Sequence, residues 1–338
     1  MNDKEVERKK ILGALGKRIT LKTCYKGGTH CGGEIIKAHS ISSKRILRAI
    51  AENGYLMTPV ADPTGSYIRY TMQKQGINKT SVFTGMCGLH DKVFEPIDNS
   101  PYGEGDTKQE YLFAYRIAAR EYYTKAVQLN AYQLAGRLVS GEEKPVPGFD
   151  HEKFVGHEDF FDWMSLLSDV TASSLDMMED IRLYLNKNYD NHAYHRVSTQ
   201  VLKFDLSNIA VASGFLLEVG FDGEEINDIR AERMSYTRPI YLTIFPQGNK
   251  TFVLVSYLTR NKRLLAPFVE KLGLLSKDEQ KVVVSNLIAC HCENTFFKPT
   301  YYESLASKTK QRFVSLFGKA VQSEATRIIE DNSLNIFE

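Results

Sequence analysis

The chain has 338 residues, 43% of them hydrophobic and 25% charged, with a formal net charge of +2. That balance excludes a disordered, fibrous or low-complexity protein. The first ten residues are polar, no run of about 18 uncharged apolar residues occurs, and five cysteines are too few for a disulfide framework, so a cytoplasmic protein is expected, neither secreted nor membrane-spanning.

The charge is unevenly placed. Residues 1–97 carry 16 Lys and Arg against 8 Asp and Glu, a balance of +8, whereas the rest carries 27 against 33, a balance of −6. A basic N-terminal part suits a polyanion, because each neutralised phosphate releases counterions. A lysine-rich solvated surface is the plain alternative.

In chain order, residues 3–18 read as a short basic helix. LKTCYKGGTHCGGEIIKAHSIS then alternates glycine-rich turns with strand-like pieces. Ser42 to Asn53 reads as a helix, with Ile46, Leu47 and Ile50 at helical spacing and Gly54 as its stop. Residues 55–80 hold strand-like pieces without clear periodicity, and SVFTGMCGLHDKVFEPID returns to strand, tight turn and short helix. Residues 99–106 have the composition of a linker. A long helix follows over 107–138, whose aromatic stripe, including Tyr111, Tyr115 and Tyr122, reads as core; a second over 158–186 completes a helical hairpin. Beyond residue 192 come strands, the last two joined at Pro246-Gln247-Gly248-Asn249, and then helices near 262–273, 277–290 and 300–330. The expected class is α+β, with a basic zinc module at 1–98, a helical region at 99–190 and an α+β domain with an antiparallel sheet at 191–338.

Four residues point to a metal. Cys24 and Cys31 form a C-x6-C pair, Cys87 and His90 a C-x2-H pair, and tetrahedral structural Zn²⁺ commonly takes its ligands as two close pairs from two turns. Gly88 lies inside the second pair, as a knuckle needs if backbone N–H groups are to face sulfur, and the wider first loop must bulge. His30 competes with Cys31 for the second position; Cys31 is preferred because thiolates dominate structural sites and Gly32-Gly33 follows it.

The order of two knuckles, a strand ending in His39 and a helix after the second knuckle resembles a treble clef, and more specifically the HNH (ββα-metal) endonuclease family, over roughly residues 20–98. The AHSIS and TGMCGLHD segments are also similar to a group of bacterial proteins that carry an HNH-like zinc module ahead of a long partner region. The resemblance implies a metal-dependent endonuclease with His39 as general base and Asp91 as a ligand of catalytic Mg²⁺ or Mn²⁺, while Zn²⁺ stays structural. Lys37, Lys44, Arg45 and Arg48 would then grip phosphates. The implied partner is nucleic acid, DNA ahead of RNA, in bacterial defence, with no membrane and with a homo-oligomer or protein partner engaged through the C-terminal region. Ala38 stands where the family motif has Asp or His, so a packing role for His39 stays open, as does a zinc-stabilised nucleic-acid-binding or sensor protein without catalysis.

Elsewhere, Cys290-His291-Cys292 reads as buried thiols at a helix end. His151, His157, His192 and His195 read as loop histidines, and Arg116 with Glu121 as a polar pair on the long helix. No Walker A loop, Rossmann fingerprint, nucleophile elbow or HExxH motif occurs.

Overall fold

The computed structural model describes residues 3–28, 31, 33–62, 69–148, 158–228, 237–321 and 327–338; His30, His151 and His157 lie outside them. In chain order the elements are α1 (Asp3–Ile19), β1 (Ile35–His39), one π-type turn at Ser43–Leu47 leading into α2 (Arg48–Ile50), β2 (Tyr55–Asp62), β3 (Arg69–Gly76), β4 (Val82–Cys87), α3 (Glu95–Asn99), α4 (Thr107–Val139) and α5 (Glu158–Asp190). The second half adds β5 (Val197–Asp205), β6 (Ile209–Phe215), β7 (Ile240–Gln247), β8 (Lys250–Leu258), α6 (Lys262–Leu274), α7 (Lys277–His291), β9 (Thr295–Phe297), α8 (Pro299–Ser304) and α9 (Ser307–Val321). β1 and β4 form a two-stranded sheet; the other seven strands form an antiparallel sheet in the order β3-β2-β9-β6-β7-β8-β5. The class is α+β. No helix among the described residues is long and apolar enough to cross a membrane.

The chain divides into two compact units, each assembled from three stretches. One holds Met1–Lys37, Thr84–His90 and Ala119–Tyr184; the other holds Ala38–Phe83, Asp91–Ala118 and Leu185–Glu338.

The larger unit is built on the seven-stranded sheet. Period-two alternation sends Leu202 and Phe204, Ile240, Leu242 and Ile244, and Val253, Val255 and Tyr257 to one face, where they meet Leu265, Phe268 and Leu272 of α6, Val284, Leu287 and Ile288 of α7 and Phe313 and Phe317 of α9. Leu334, Ile336 and Phe337 close this core. The opposite face is buried too: Phe113, near the start of α4, stacks on Phe245 at 5.3 Å, and Tyr102 lies edge-on to Phe245 and Phe252. Asp106 starts α4 by accepting from the N–H groups of Lys108 and Gln109, both at 3.0 Å. Ser276 and Glu279 form a capping box on α7.

The expected hairpin forms, with Gln247 paired to Lys250 and a positive φ of 62° at Gly248. Two stretches differ from expectation. The helix read over 42–53 is a π-type turn and one short α-turn, because Ala51 is already extended, and Asn53 and Gly54 then take positive φ to turn the chain into β2. The helix read over 300–330 breaks at Leu305, extended and buried, and α9 is described over Ser307–Val321.

In the smaller unit, residues 23–25 run beside the end of β4, with Thr23 N–H donating to the Thr84 carbonyl and Tyr25 N–H to that of Gly85. Tyr122 of α4 meets the Tyr25 ring edge-on at 5.5 Å, and Arg182 of α5 donates to the Tyr25 carbonyl at 2.8 Å. Asn130 of α4 donates to the Ile19 carbonyl at 3.0 Å. The two long helices thereby hold the chain segment that carries Cys24.

Candidate metal centre and polar cluster

Cys24, Cys31, Cys87 and His90 come together in the smaller unit, with one ligand atom from each all within 4.8 Å of one another. Cys24 Sγ lies 3.3 Å from His90 Nδ1, and Cys31 Sγ 3.9 Å from Cys87 Sγ. A tetrahedron with a Zn–S bond of about 2.3 Å has S···S edges of about 3.8 Å, so these separations suit one ion of that size.

Local sequence explains the geometry. Gly27 and Gly28 take positive φ, 62° and 89°, which lets the first loop bulge before Cys31 donates its N–H to the Gly28 carbonyl. The second pair forms a tight turn in which His90 N–H points at Cys87 Sγ at 3.4 Å and Gly88 N–H donates to the Glu34 carbonyl. Gly33 lies in close approach to the second turn: a Cβ there would meet Leu89 N at 3.2 Å, so that backbone would have to give by a few tenths of an ångström.

The donor set asks for a cation. Burial and the two neighbouring sulfurs push the Cys31 thiol up to about 12. Burial also disfavours a Cys87 thiolate, but the His90 N–H and the Cys24 and Cys31 sulfurs outweigh it and hold Cys87 below the usual thiol value. Three sulfurs this close cannot all ionise unless positive charge is placed among them. The four residues could therefore hold a metal ion such as zinc.

A separate polar cluster lies in the larger unit. Arg116 of α4, 3% exposed, binds both oxygens of Asp98 of α3 at 2.9 and 2.5 Å and sets its guanidinium 4.2 Å over the Phe94 ring. On the same helix Glu121 pairs with Arg120 at 2.8 Å. Burial disfavours an Asp98 carboxylate, yet Arg116 and the Ser42 hydroxyl hold its pKa below the usual carboxylate value. Sequence reading missed Asp98, whose only signal was its place just ahead of the linker at 99–106.

His39 ends β1 in a partly buried position, and its Nδ1 is buried without a hydrogen-bond partner. Burial and Arg116 lower its pKa against the opposing pull of the Thr80 main chain and Asp98, which leaves the ring neutral at pH 7. Burial raises the pKa of Asp91, with Arg116 opposing. Among the described residues only the Cys₃His group gathers three or more metal-ligating side chains, so His39, Asp91 and Asp98 form no second such group. The cavity lined by Ser40, Ser42, Phe113, Arg116 and Thr243 measures about 10 Å³, room for one water and not for a substrate group.

Of the expected phosphate-gripping residues, Lys44 and Arg48 are exposed and Arg45 is half-buried on the stretch 43–50, where Lys44 Nζ donates to Asn99 at 3.1 Å; Lys37 is exposed on β1. Cys290 and Cys292 flank the end of α7: Cys292 is buried, burial pushes the Cys290 thiol up to about 12, and His291 stacks on Phe215 at 4.9 Å. No family model, curated protein or solved structure matches the chain.

Proposed function

We propose that this is a zinc-stabilised, HNH-like protein that binds nucleic acid, with Cys24, Cys31, Cys87 and His90 holding one structural Zn²⁺ in a treble-clef module. The observation that carries the reading is the convergence of three sulfurs and one imidazole from two glycine-assisted turns. The +8 balance of residues 1–97 supports a polyanionic partner, DNA ahead of RNA. Metal analysis of the purified chain tests the first half: one zinc per chain is expected, and a folded chain without zinc sinks it. Binding to duplex DNA against salt tests the second: affinity falls as salt rises, and a slope near zero against log salt rules nucleic acid out.

A second reading is metal-dependent phosphodiester hydrolysis in bacterial defence. What favours it is His39, a neutral imidazole with an unpartnered Nδ1, suited to take a proton from water. Mg²⁺ is commonly held by one or two carboxylates together with substrate phosphates, and Asp91 would be such a carboxylate. This reading comes second because among the described residues no second ligand group gathers, and Asp98 is engaged by Arg116. Cleavage with Mg²⁺ or Mn²⁺ that vanishes in His39→Ala while the fold is kept would promote it; undiminished cleavage by that variant would remove it.

A further inference from the structure

In the smaller unit α5 turns an apolar stripe to solvent. Trp163, Leu166 and Val170 are 56%, 59% and 56% exposed and sit at i, i+3 and i+7, the spacing of one helix face. They are not the side chains α5 uses for its own packing: Met164 and Thr171 are buried, and at 3.6 residues per turn both point roughly 80–100° around the helix from Trp163. A row of three exposed carboxylates, Asp162, Asp169 and Asp176, runs along the other side of the stripe at seven-residue intervals. One side of the stripe is thus closed by the unit's own core and the other is bordered by negative charge.

A stripe so bordered complements an amphipathic helix whose apolar side chains are flanked by Lys or Arg at the same seven-residue repeat. We infer that this face of α5 docks a basic amphipathic helix of a partner protein, with Trp163 as the main anchor at the N-terminal end of the stripe. Helix-on-helix recognition reads anchors at i, i+3, i+4 and i+7, and large aromatic side chains dominate the energetics of such contacts. A second copy of the same face is disfavoured, since symmetric pairing would bring the aspartate rows toward each other. The inference is independent of the zinc and nucleic-acid readings.

Trp163 is the chain's single tryptophan, so its emission reports this face alone. The test titrates the full chain with a synthetic helical peptide of Leu and Lys in heptad order, and in parallel with one of Leu and Glu. The Leu/Lys peptide is expected to shift the emission to the blue and to saturate, with affinity about tenfold weaker for Leu166→Asp and for the double variant Asp162→Lys/Asp169→Lys, while the Leu/Glu peptide leaves the spectrum unmoved. Should Leu166→Asp lose helical circular dichroism, the double variant carries the same comparison. No shift with the Leu/Lys peptide, equal binding of the Leu/Glu peptide, or unchanged affinity in the double variant overturns the inference. A blue shift that grows with chain concentration alone, accompanied by a sedimenting dimer, assigns the face to a second copy and overturns it too.

Discussion

Arg116 and Asp98 are joined by two parallel hydrogen bonds, and the guanidinium is almost wholly withdrawn from water while the carboxylate keeps 28% of its side-chain surface exposed. Asp98→Asn should therefore cost about 3 kcal/mol, the low end for breaking a buried pair, because it strands a buried cation; Arg116→Met/Asp98→Leu should recover part of that loss. Denaturant unfolding checks both, and an Asp98→Asn chain as stable as the parent would show that the pair holds nothing together. The folded pKa of Asp98 is depressed, so the unfolded chain binds its proton first as pH falls. Its contribution is complete above about 3.9 and is lost on acidification below that value.

His291 gives a second pH signature. Its partly buried ring stacks on Phe215, and burial pushes its pKa down to about 4 despite the nearby Glu330 carboxylate. Between about 6.5 and about 4 the unfolded chain holds more protons at this residue, so stability should decline as pH is lowered through that window and be indifferent to it above 6.5. Proton NMR of the imidazole locates the midpoint, and His291→Phe should flatten the decline. A midpoint near 6.5 would contradict the burial.

Asn286, fully buried on α7, fastens the C-terminal segment: its oxygen accepts from the N–H groups of Glu330 and Asp331, each at 2.9 Å, and its amide donates to the Asp331 carbonyl at 3.0 Å. Ser285 next to it accepts from Ile336 N–H at 3.0 Å. With about 1 kcal/mol for each bond, Asn286→Ala should destabilise by about 3 kcal/mol. Hydrogen exchange at residues 330–337 should quicken with it.

Metal removal should act on the smaller unit. Chelation, or Cys87→Ser, should lower the melting temperature and release the contacts around Cys24, whereas Cys290→Ser should leave zinc content unchanged. A loss of zinc in Cys290→Ser would instead place a ligand outside the cluster.

The convergence of the two Cys and His pairs was legible because chemistry constrains them locally: a C-x2-H turn with an internal glycine is a compact local pattern, and the bulged first loop announced itself in Gly27-Gly28. The long helices and the β7–β8 hairpin were legible for the same reason, since periodicity and a Gly-Asn turn act within a few residues. The strand-like pieces read over 55–80 became β2 and β3, but their pairing at the sheet edge was not legible, because every residue of β3 is exposed or half-buried and none marks a core face. Nor was β9, three residues of Thr-Phe-Phe whose strand state comes from its neighbours β2 and β6. Asp98 likewise acquires its meaning only when α4 brings Arg116 to it.

That short strand has a consequence for the newly made chain. β9 seats the β2–β3 hairpin against the rest of the large sheet through the pairing of Met57 with Phe297. The two residues are about 240 positions apart, so at synthesis rates of about 5–20 residues per second the hairpin waits on the order of 10–50 s for its neighbour. During that interval one edge of β2 has no strand to pair with and is open to other chains, while all four residues of the Cys₃His cluster have already been made by residue 90.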